Sequence, residues 1–570
     1  MSAPGAVPAP NRWTGWGATD VAWAVVAMAA VLLPVDVTAR WFNATYNATH
    51  ADLVAGVWIL KLTLVALAAA GLTLRRWSMH QVEAPDRNNV RVTDATTFAV
   101  LAAVLVLALG LRVYRLDSEL WLDEIQLLIR YAPLDFRQLL STYDSQNHQP
   151  LYSMLARLAY LAGGGSDWSV RVPAALAGVA SLGAIWWFAR RVTSTREAML
   201  GALILAVSYH HVWFSQNARG YTLMMFLTVL ATGAFLRLIE GDGRPTRLVW
   251  AYAILMSLAV YTHLTAALIA VGHALTLLFV TRWNSRDSRS RASWSIVALA
   301  LSALLTVCFY APMLPQVWRE ITKPTMEGVA IEWTGAGWML REALSVLGEG
   351  IPGGLVTVLG GLAVLGVGVA SYWRQSRVAA LLMFLPVAVT FAALVATRHN
   401  LWPRFFFFAS GFLVLASLRD GFVLVRWVVR WRPEAVAVAG ASAVALLSLL
   451  TVPRAWQPKQ QFRAAYNYVE GERLPDDQVV VLEVASHVYL MRGWAPTWGL
   501  ATSLTMLRET ERTAARTWVV FTLPARLRAL HPELVQHLSA PRYQLVRTFP
   551  ATVGGGEIHI LRHDSAQGHD

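Results

Sequence analysis

Residues 96–124 read TTFAVLAAVLVLALGLRVYRLDSELWLDE: a long apolar run that ends at Arg112 and passes at once into a loop carrying Asp117, Glu119, Asp123 and Glu124. About 20 mostly apolar residues are what a helix needs to cross the hydrocarbon core of a bilayer. Comparable runs occupy 20–35, 53–74, 168–189, 197–214, 220–238 and 248–262, then 264–281, 293–312, 353–373, 378–397, 402–418 and 434–452. Together with 96–114 they make thirteen expected spans, which identifies an all-α polytopic membrane protein. The composition agrees, with 56% hydrophobic and only 15% charged residues among 570, against about 45–50% and about 25% in an ordinary soluble chain. Charge this sparse excludes a disordered or nucleic-acid-binding chain despite the net charge of +13. The single Cys308 excludes a disulfide framework and a cysteine-based zinc site.

The basic residues are almost all arginines, the only lysines being Lys61, Lys323 and Lys459. The arginines gather in alternate loops: Arg75, Arg76, Arg87 and Arg91, then Arg190, Arg191 and Arg196, then Arg244 and Arg247. Arg282, Arg286, Arg289 and Arg291 follow, then Arg374 and Arg377. The positive-inside rule makes these loops cytoplasmic and the N-terminus cytoplasmic. Arg419, Arg426 and Arg430 at helical spacing predict a basic interfacial helix over 419–432. The outer loops are long, at 115–167 and 313–351. Within the first, LWLDEIQLLIRYA and QPLYSMLARLAYLAGG predict helices lying on the outer surface. Residues 453–570 lose the membrane character, and VVVLEV, TWVVFTL, YQLVRTF and EIHILRH predict strands between polar helical stretches. Thirteen spans from a cytoplasmic start put this small α/β domain outside. The expected organisation is therefore a two-span extension (1–95), a transmembrane catalytic domain (96–452) and an extracytoplasmic α/β domain (453–570).

Polar groups from separated stretches fall at the outer membrane face in this topology. They are Asp123 and Glu124; His148 and Gln149 in NHQPLY; Asn217, Arg219 and Tyr221 in SQNARGY; His263 in YTHLT; and Arg398, His399 and Arg404 in RHNLWPRFFFF. Ionisable groups at membrane depth are expensive and default to a functional reading. Carboxylate, imidazole and guanidinium together can handle a charged lipid headgroup, and arginine's planar fork suits phosphate. Pro403 fits the first turn of a helix, leaving N–H groups beside Arg404 open to an anion.

As an ordered set, RLDSELWLDE, NHQPLY, SDWSVRVPAALAGVASLGAIWWFARRV and SYHHVWFSQNARGYTL resemble the bacterial GT-C fold glycosyltransferases. More narrowly, they resemble the protein O-mannosyltransferase and aminoarabinose-transferase superfamily, over roughly residues 96–410. The resemblance implies an enzyme that moves a sugar from a polyprenyl-phosphate carrier to an acceptor on the outer face. The acceptor would be a cell-envelope glycan, lipid or protein. It also implies that Asp123 is the catalytic carboxylate, that His148–Pro150 matches the family's basic residue before a proline, and that Arg404 binds the carrier phosphate. One departure is Asn217, where relatives usually carry a carboxylate in SQEARMY.

The expected reaction is inverting, with Asp123, flanked by Glu124, as base. Arg404, Arg219 and His263 would hold the leaving phosphate, and His148, Gln149, Asn217 and Tyr221 the substrate. Asp123, Glu124 and His148 are residue types that a divalent metal accepts; no other cofactor is implied. The rival classes are a lipid or polysaccharide transporter, or flippase, and an inactive glycan-binding relative. Charges gathered at one face, rather than at the midplane, favour the enzyme. The Arg-over-Lys, Ala-rich composition points to a bacterial plasma membrane.

Overall fold

The computed structural model describes residues 17–43, 48–79, 94–322, 331–351 and 353–564. Arg87, Arg91 and residues 323–330 of the second outer loop lie outside the described residues. The helices in chain order begin with α1 (Ala18–Leu32), α2 (Val35–Phe42), α3 (His50–Met79), α4 (Ala95–Val113), α5 (Leu122–Arg130), α6 (Phe136–Ser141) and α7 (Pro150–Ala162). Next come α8 (Val172–Val192), α9 (Thr195–Ala206), α10 (Tyr209–Ser215), α11 (Tyr221–Glu240), α12 (Pro245–Thr262), α13 (Ala266–Val280) and α14 (Arg286–Tyr310). The bundle ends with α15 (Leu314–Thr322), α16 (Ala336–Gly350), α17 (Gly354–Gln375), α18 (Arg377–Ala396), α19 (Ser410–Val428) and α20 (Pro433–Leu449), and five shorter helices follow among the described residues.

Each of the thirteen expected stretches is helical, but they are not all spans by length and apolarity. Among the described residues eight helical segments are long and apolar enough, or ten if two bent pairs each count once. The pair α1–α2 bends by 90° at Pro34 and α9–α10 by 62°, where Ser208 caps α10 by accepting the His211 N–H. Helices α13 and α20 have 15 and 17 residues. At 1.5 Å per residue they reach about 22–26 Å, short of a core about 30 Å thick. The basic helix over 419–432 is not a separate element either. With no proline within its length, α19 runs from Ser410 through Arg419 and Arg426 to Val428, and Arg419 pairs with Glu197 at 2.9 Å.

Burial orders the bundle. Helix α11 has 72% of its apolar window buried and forms the centre, whereas α17 has 11% buried and lies at the edge. The loop at 115–167 folds as α5, α6 and α7. Asp135 caps α6 through the Gln138 N–H, and Pro150 opens α7, where its missing N–H is no loss.

The tail forms one five-stranded sheet of β1 (Gln478–Leu482), β2 (Gly499–Ala501), β3 (Arg516–Thr522), β4 (Tyr543–Phe549) and β5 (Ile558–Asp564), in the order β2-β1-β3-β5-β4. Strand β1 pairs in parallel with β2 and β3, and β5 runs antiparallel to β3 and β4. The short β2 has no counterpart among the expected strands. One face of this sheet closes over the 115–167 loop: Leu120, Trp121, Leu122 and Ile125 share a core with Phe462, Val479, Val481, Ile558 and Ile560. The tail domain therefore sits directly on the acidic loop, at the end of the bundle where α4 finishes.

Candidate functional site

Where the tail domain meets the bundle, the two enclose a cavity of about 970 Å³. Its bundle side carries Asp123, Arg219, Tyr221, His263, His399 and Arg404, and its tail side Glu483, His487 and Arg526. Four chain segments thus supply the charged centre: the start of α5, the 216–220 loop, the turn after α12, and the approach to α19.

Asp123 lies in the first turn of α5 and is only 9% exposed. Its Oδ2 is buried with no hydrogen-bond partner among the described residues; the nearest cation is Arg404 Nη1, at 3.8 Å. Arg404 follows Pro403 in a 3-10 turn (Pro403–Ala409) that leads into α19. Its guanidinium lies over the Trp402 ring at 4.5 Å and the Trp121 ring at 6.0 Å. Two indoles therefore fix the fork beside the carboxylate, a contact that strengthens as water leaves. Arg219 is 3% exposed and donates to Asn147 Oδ1 at 2.5 Å. From there the bonds continue from Asn147 to Gln126 (2.8 Å) and from Gln126 to His487 Nδ1 (3.3 Å), ending in the tail domain. His263 Nδ1 accepts the Thr265 N–H at 3.3 Å, which leaves the proton on Nε2.

Glu124, expected beside Asp123 in the site, does not line the cavity and is fully buried. Its two oxygens accept from Arg171 Nε (2.7 Å) and Nη2 (2.5 Å), from Ala218 N (2.7 Å) and from Trp121 N (3.2 Å). Burial alone would raise this carboxyl, but the charges of Arg171 and Lys459 outweigh it and hold the group below its ordinary range. Arg171 in turn donates to the Leu116, Ser118 and Glu119 carbonyls. Glu124 is thus a tie between α5, the 116–119 loop and the 216–220 loop, with no lone pair aimed at the cavity.

His148, Gln149 and Asn217 also sit behind the wall rather than on it. His148 stacks on Tyr131 at 4.1 Å and 9°; burial, reinforced by Arg219's charge, pushes it down to about 3, so it is neutral. Gln149 Oε1 accepts the Gly220 N–H at 2.6 Å. Gly220 is needed there because a Cβ would stand 2.4 Å from Thr262 Cγ2. Asn217 Oδ1 accepts from Trp121 Nε1 at 3.0 Å, fixing the indole that flanks Arg404.

A metal held by Asp123, Glu124 and His148 does not fit this arrangement. Glu124 is consumed by Arg171 and the backbone, and His148 is stacked behind the wall. No cluster of three acidic, histidine or cysteine side chains able to hold a metal occurs among the described residues.

Arg171, Lys459, Gln126 and Asn147 escaped the sequence reading. Lys459 is buried and donates to Gln216 O at 2.7 Å. Arg171 carried one usable signal: a lone arginine at the outer start of a span, against the charge bias. Lys459 and Asn147 look like ordinary loop residues, and Gln126 like an ordinary polar position on the expected helix LWLDEIQLLIRYA.

In the comparisons, the family described as "Dolichyl-phosphate-mannose-protein mannosyltransferase" matches residues 147–310. No curated protein matches the chain. Among solved structures, ArnT from Cupriavidus metallidurans in the apo state aligns with TM-score 0.50 and 11% identity, covering 83% of this chain and 99% of that one. The apo oligosaccharyltransferase of Archaeoglobus fulgidus aligns with TM-score 0.49 and 14% identity, covering 80% and 74%. Arabinosyltransferase EmbB from Mycobacterium smegmatis gives 0.41 and 14%, covering 70% and 43%. Apolar helices, a loop-built site at one end of the bundle and the ArnT alignment lead to one conclusion: the chain is a multi-pass membrane protein with the GT-C glycosyltransferase fold.

Proposed function

We propose that this protein transfers a sugar from a polyprenyl-phosphate carrier to an acceptor hydroxyl at the outer face of a bacterial plasma membrane, with inversion. The observation that carries the reading is Asp123 itself: a buried carboxylate whose Oδ2 has no hydrogen-bond partner among the described residues, in a large cavity 3.8 Å from an arginine. A buried polar atom left unsatisfied calls for a ligand or a role. The acceptor hydroxyl attacks the anomeric carbon and forms the new C–O bond. The bond from that carbon to the phosphate oxygen breaks, and its electron pair leaves with the polyprenyl phosphate. The acceptor's proton passes to Asp123, general-base help worth about 10²–10⁴-fold.

Arg404 and Arg219, with the His263 Nε2–H, are the donors available to the leaving phosphate. Held in a water-poor cavity, they act on the developing charge without reorganising. Leu264, Leu268, Leu394, Phe405 and Leu413 form an apolar part of the wall that suits an isoprenoid chain. The family match to a lipid-phosphate-sugar enzyme supports the donor class.

The test is sugar transfer in proteoliposomes containing the purified chain and radiolabelled polyprenyl-phosphate hexoses and pentoses. The reading requires label to leave the lipid phase for added membrane-envelope acceptors. Label that crosses the bilayer still attached to its lipid would instead make the protein a flippase.

A further inference from the structure

The tail domain closes over Asp123 with one particular edge. Strands β1 and β3 are adjacent and parallel; Glu483, directly after β1, and Arg526, in the short helix that follows β3, both line the cavity. In sheets with parallel strands, ligands sit in the crevice outside those ends. Both strand exits also carry a backbone that non-glycine residues avoid: φ is +48° at Glu483 and +52° at Leu523. Such outliers persist where the surroundings over-determine them, and they cluster at ligand clamps.

The chemistry of the edge is specific. Arg526 donates to Glu483 through Nε at 3.1 Å and Nη2 at 3.0 Å, and the Val484 N–H binds Glu483 Oε2 at 2.6 Å. This leaves one Glu483 Oε1 lone pair without a hydrogen-bond partner among the described residues, while Arg526, facing the carboxylate with Nε and Nη2, fixes its orientation. A donor, the Nε2–H of His487, belongs to the same wall, because its Nδ1 accepts from Gln126. An acceptor, Glu483 Oε1, and a donor, the His487 Nε2–H, on one wall match hydroxyls, each of which both donates and accepts. The guanidinium charge is cancelled by Glu483, so the edge offers an anion no net attraction. Gln126 lies three residues after Asp123 on α5, hence on the same helix face and about 5 Å further along the axis.

We infer that this edge is the acceptor subsite, and that it takes a neutral carbohydrate whose hydroxyls bond Glu483, held in place by Arg526, and His487 while another hydroxyl reaches Asp123. The inference rests on the transfer reading for its purpose but is measured separately from it. Full-length protein in nanodiscs is titrated with neutral oligosaccharides of glucose, mannose, galactose and arabinose. Sulfated and carboxylated counterparts and a serine-rich peptide serve as comparators, and tryptophan fluorescence is the readout. Undecaprenyl phosphate is titrated in parallel.

At least one neutral oligosaccharide should bind, and Glu483→Gln should weaken it tenfold or more. Arg526→Lys, which keeps the ion pair and tests the case in which the Gln variant misfolds, should weaken it several-fold. Both variants should hold undecaprenyl phosphate as tightly as wild type. The inference is overturned if no neutral oligosaccharide binds, if both variants bind it like wild type, or if the anionic glycans or the peptide are preferred. Carrier binding without glycan binding removes this subsite and leaves the transfer reading standing; glycan binding without carrier binding does the reverse.

Discussion

Neighbouring carboxylates on α5 should respond oppositely to loss of charge. Glu124→Gln replaces a fully buried anion that holds Arg171 through two short bonds and accepts two backbone N–H groups. The amide keeps one acceptor oxygen, but its NH₂ then faces a guanidinium that is itself 0% exposed. Breaking a buried ion pair by neutralising one partner costs about 3–5 kcal/mol, because the other charge stays buried. Three carbonyls still accept from Arg171, which argues for the lower end. Lys459, also buried and facing Glu124, argues for the upper end. Asp123→Asn removes a charge whose only ion-pair contact among the described residues is 3.8 Å away and makes no hydrogen bond to it. Its stability should stay within about 1 kcal/mol of wild type. Thermal unfolding in detergent, followed by tryptophan fluorescence at pH 7.5, compares the three proteins. The clamp reading requires Glu124→Gln to melt several degrees lower and Asp123→Asn to melt with wild type. Equal melting of the two variants, or Asp123→Asn as the weaker one, would refute it.

Arg404→Ala should lose about 1.5–3 kcal/mol of undecaprenyl-phosphate binding, roughly ten- to a hundredfold. Arg404→Lys should fall between Ala and wild type, since it keeps the charge but loses the planar fork seated on Trp402; equal affinity across all three would reduce Arg404 to an anchor. Asn217→Leu strands the Trp121 indole N–H and should cost about 1–3 kcal/mol of stability and raise KM for the carrier; unchanged values in both would end the positioning role given to Asn217. Burial lifts the Glu119 carboxyl from 4.5 to about 7. Between those values the folded chain holds the extra proton, so stability should fall as pH rises from 4.5 to 7. Glu119→Gln should abolish that fall, and a variant with the wild-type slope between pH 5 and pH 7 would contradict the assignment. For topology, a reporter active only outside the cytoplasm should signal when fused after residue 452 and stay silent in the 282–292 loop; reversed signals would move the site to the cytoplasm and reopen the donor class.

The helical membrane architecture and most strands of the tail were legible in the sequence because each depends on local composition. Apolar runs mark helices such as α4 and α11, and alternation in TWVVFTL marks β3. Span counting was less secure, since Pro34 breaks one run and α13 is too short to cross alone, and neither fact shows in an average of hydropathy. At the site, topology alone placed Asp123, His263 and Arg404 at one membrane face. It could not separate Asp123 from Glu124, because adjacent positions on a helix point about 100° apart and only the position of Arg171 decides which one is tied up. The tail's contribution was invisible, as Glu483, His487 and Arg526 come together only when two strand exits meet α5.

Rate is the most direct test of Asp123 as the base. Single-turnover transfer from radiolabelled polyprenyl-phosphate sugar should slow about 10²–10⁴-fold in Asp123→Asn, with undecaprenyl-phosphate affinity and melting temperature unchanged. A purified, folded Asn variant that turns over at the wild-type rate would contradict the assignment of Asp123 as the base.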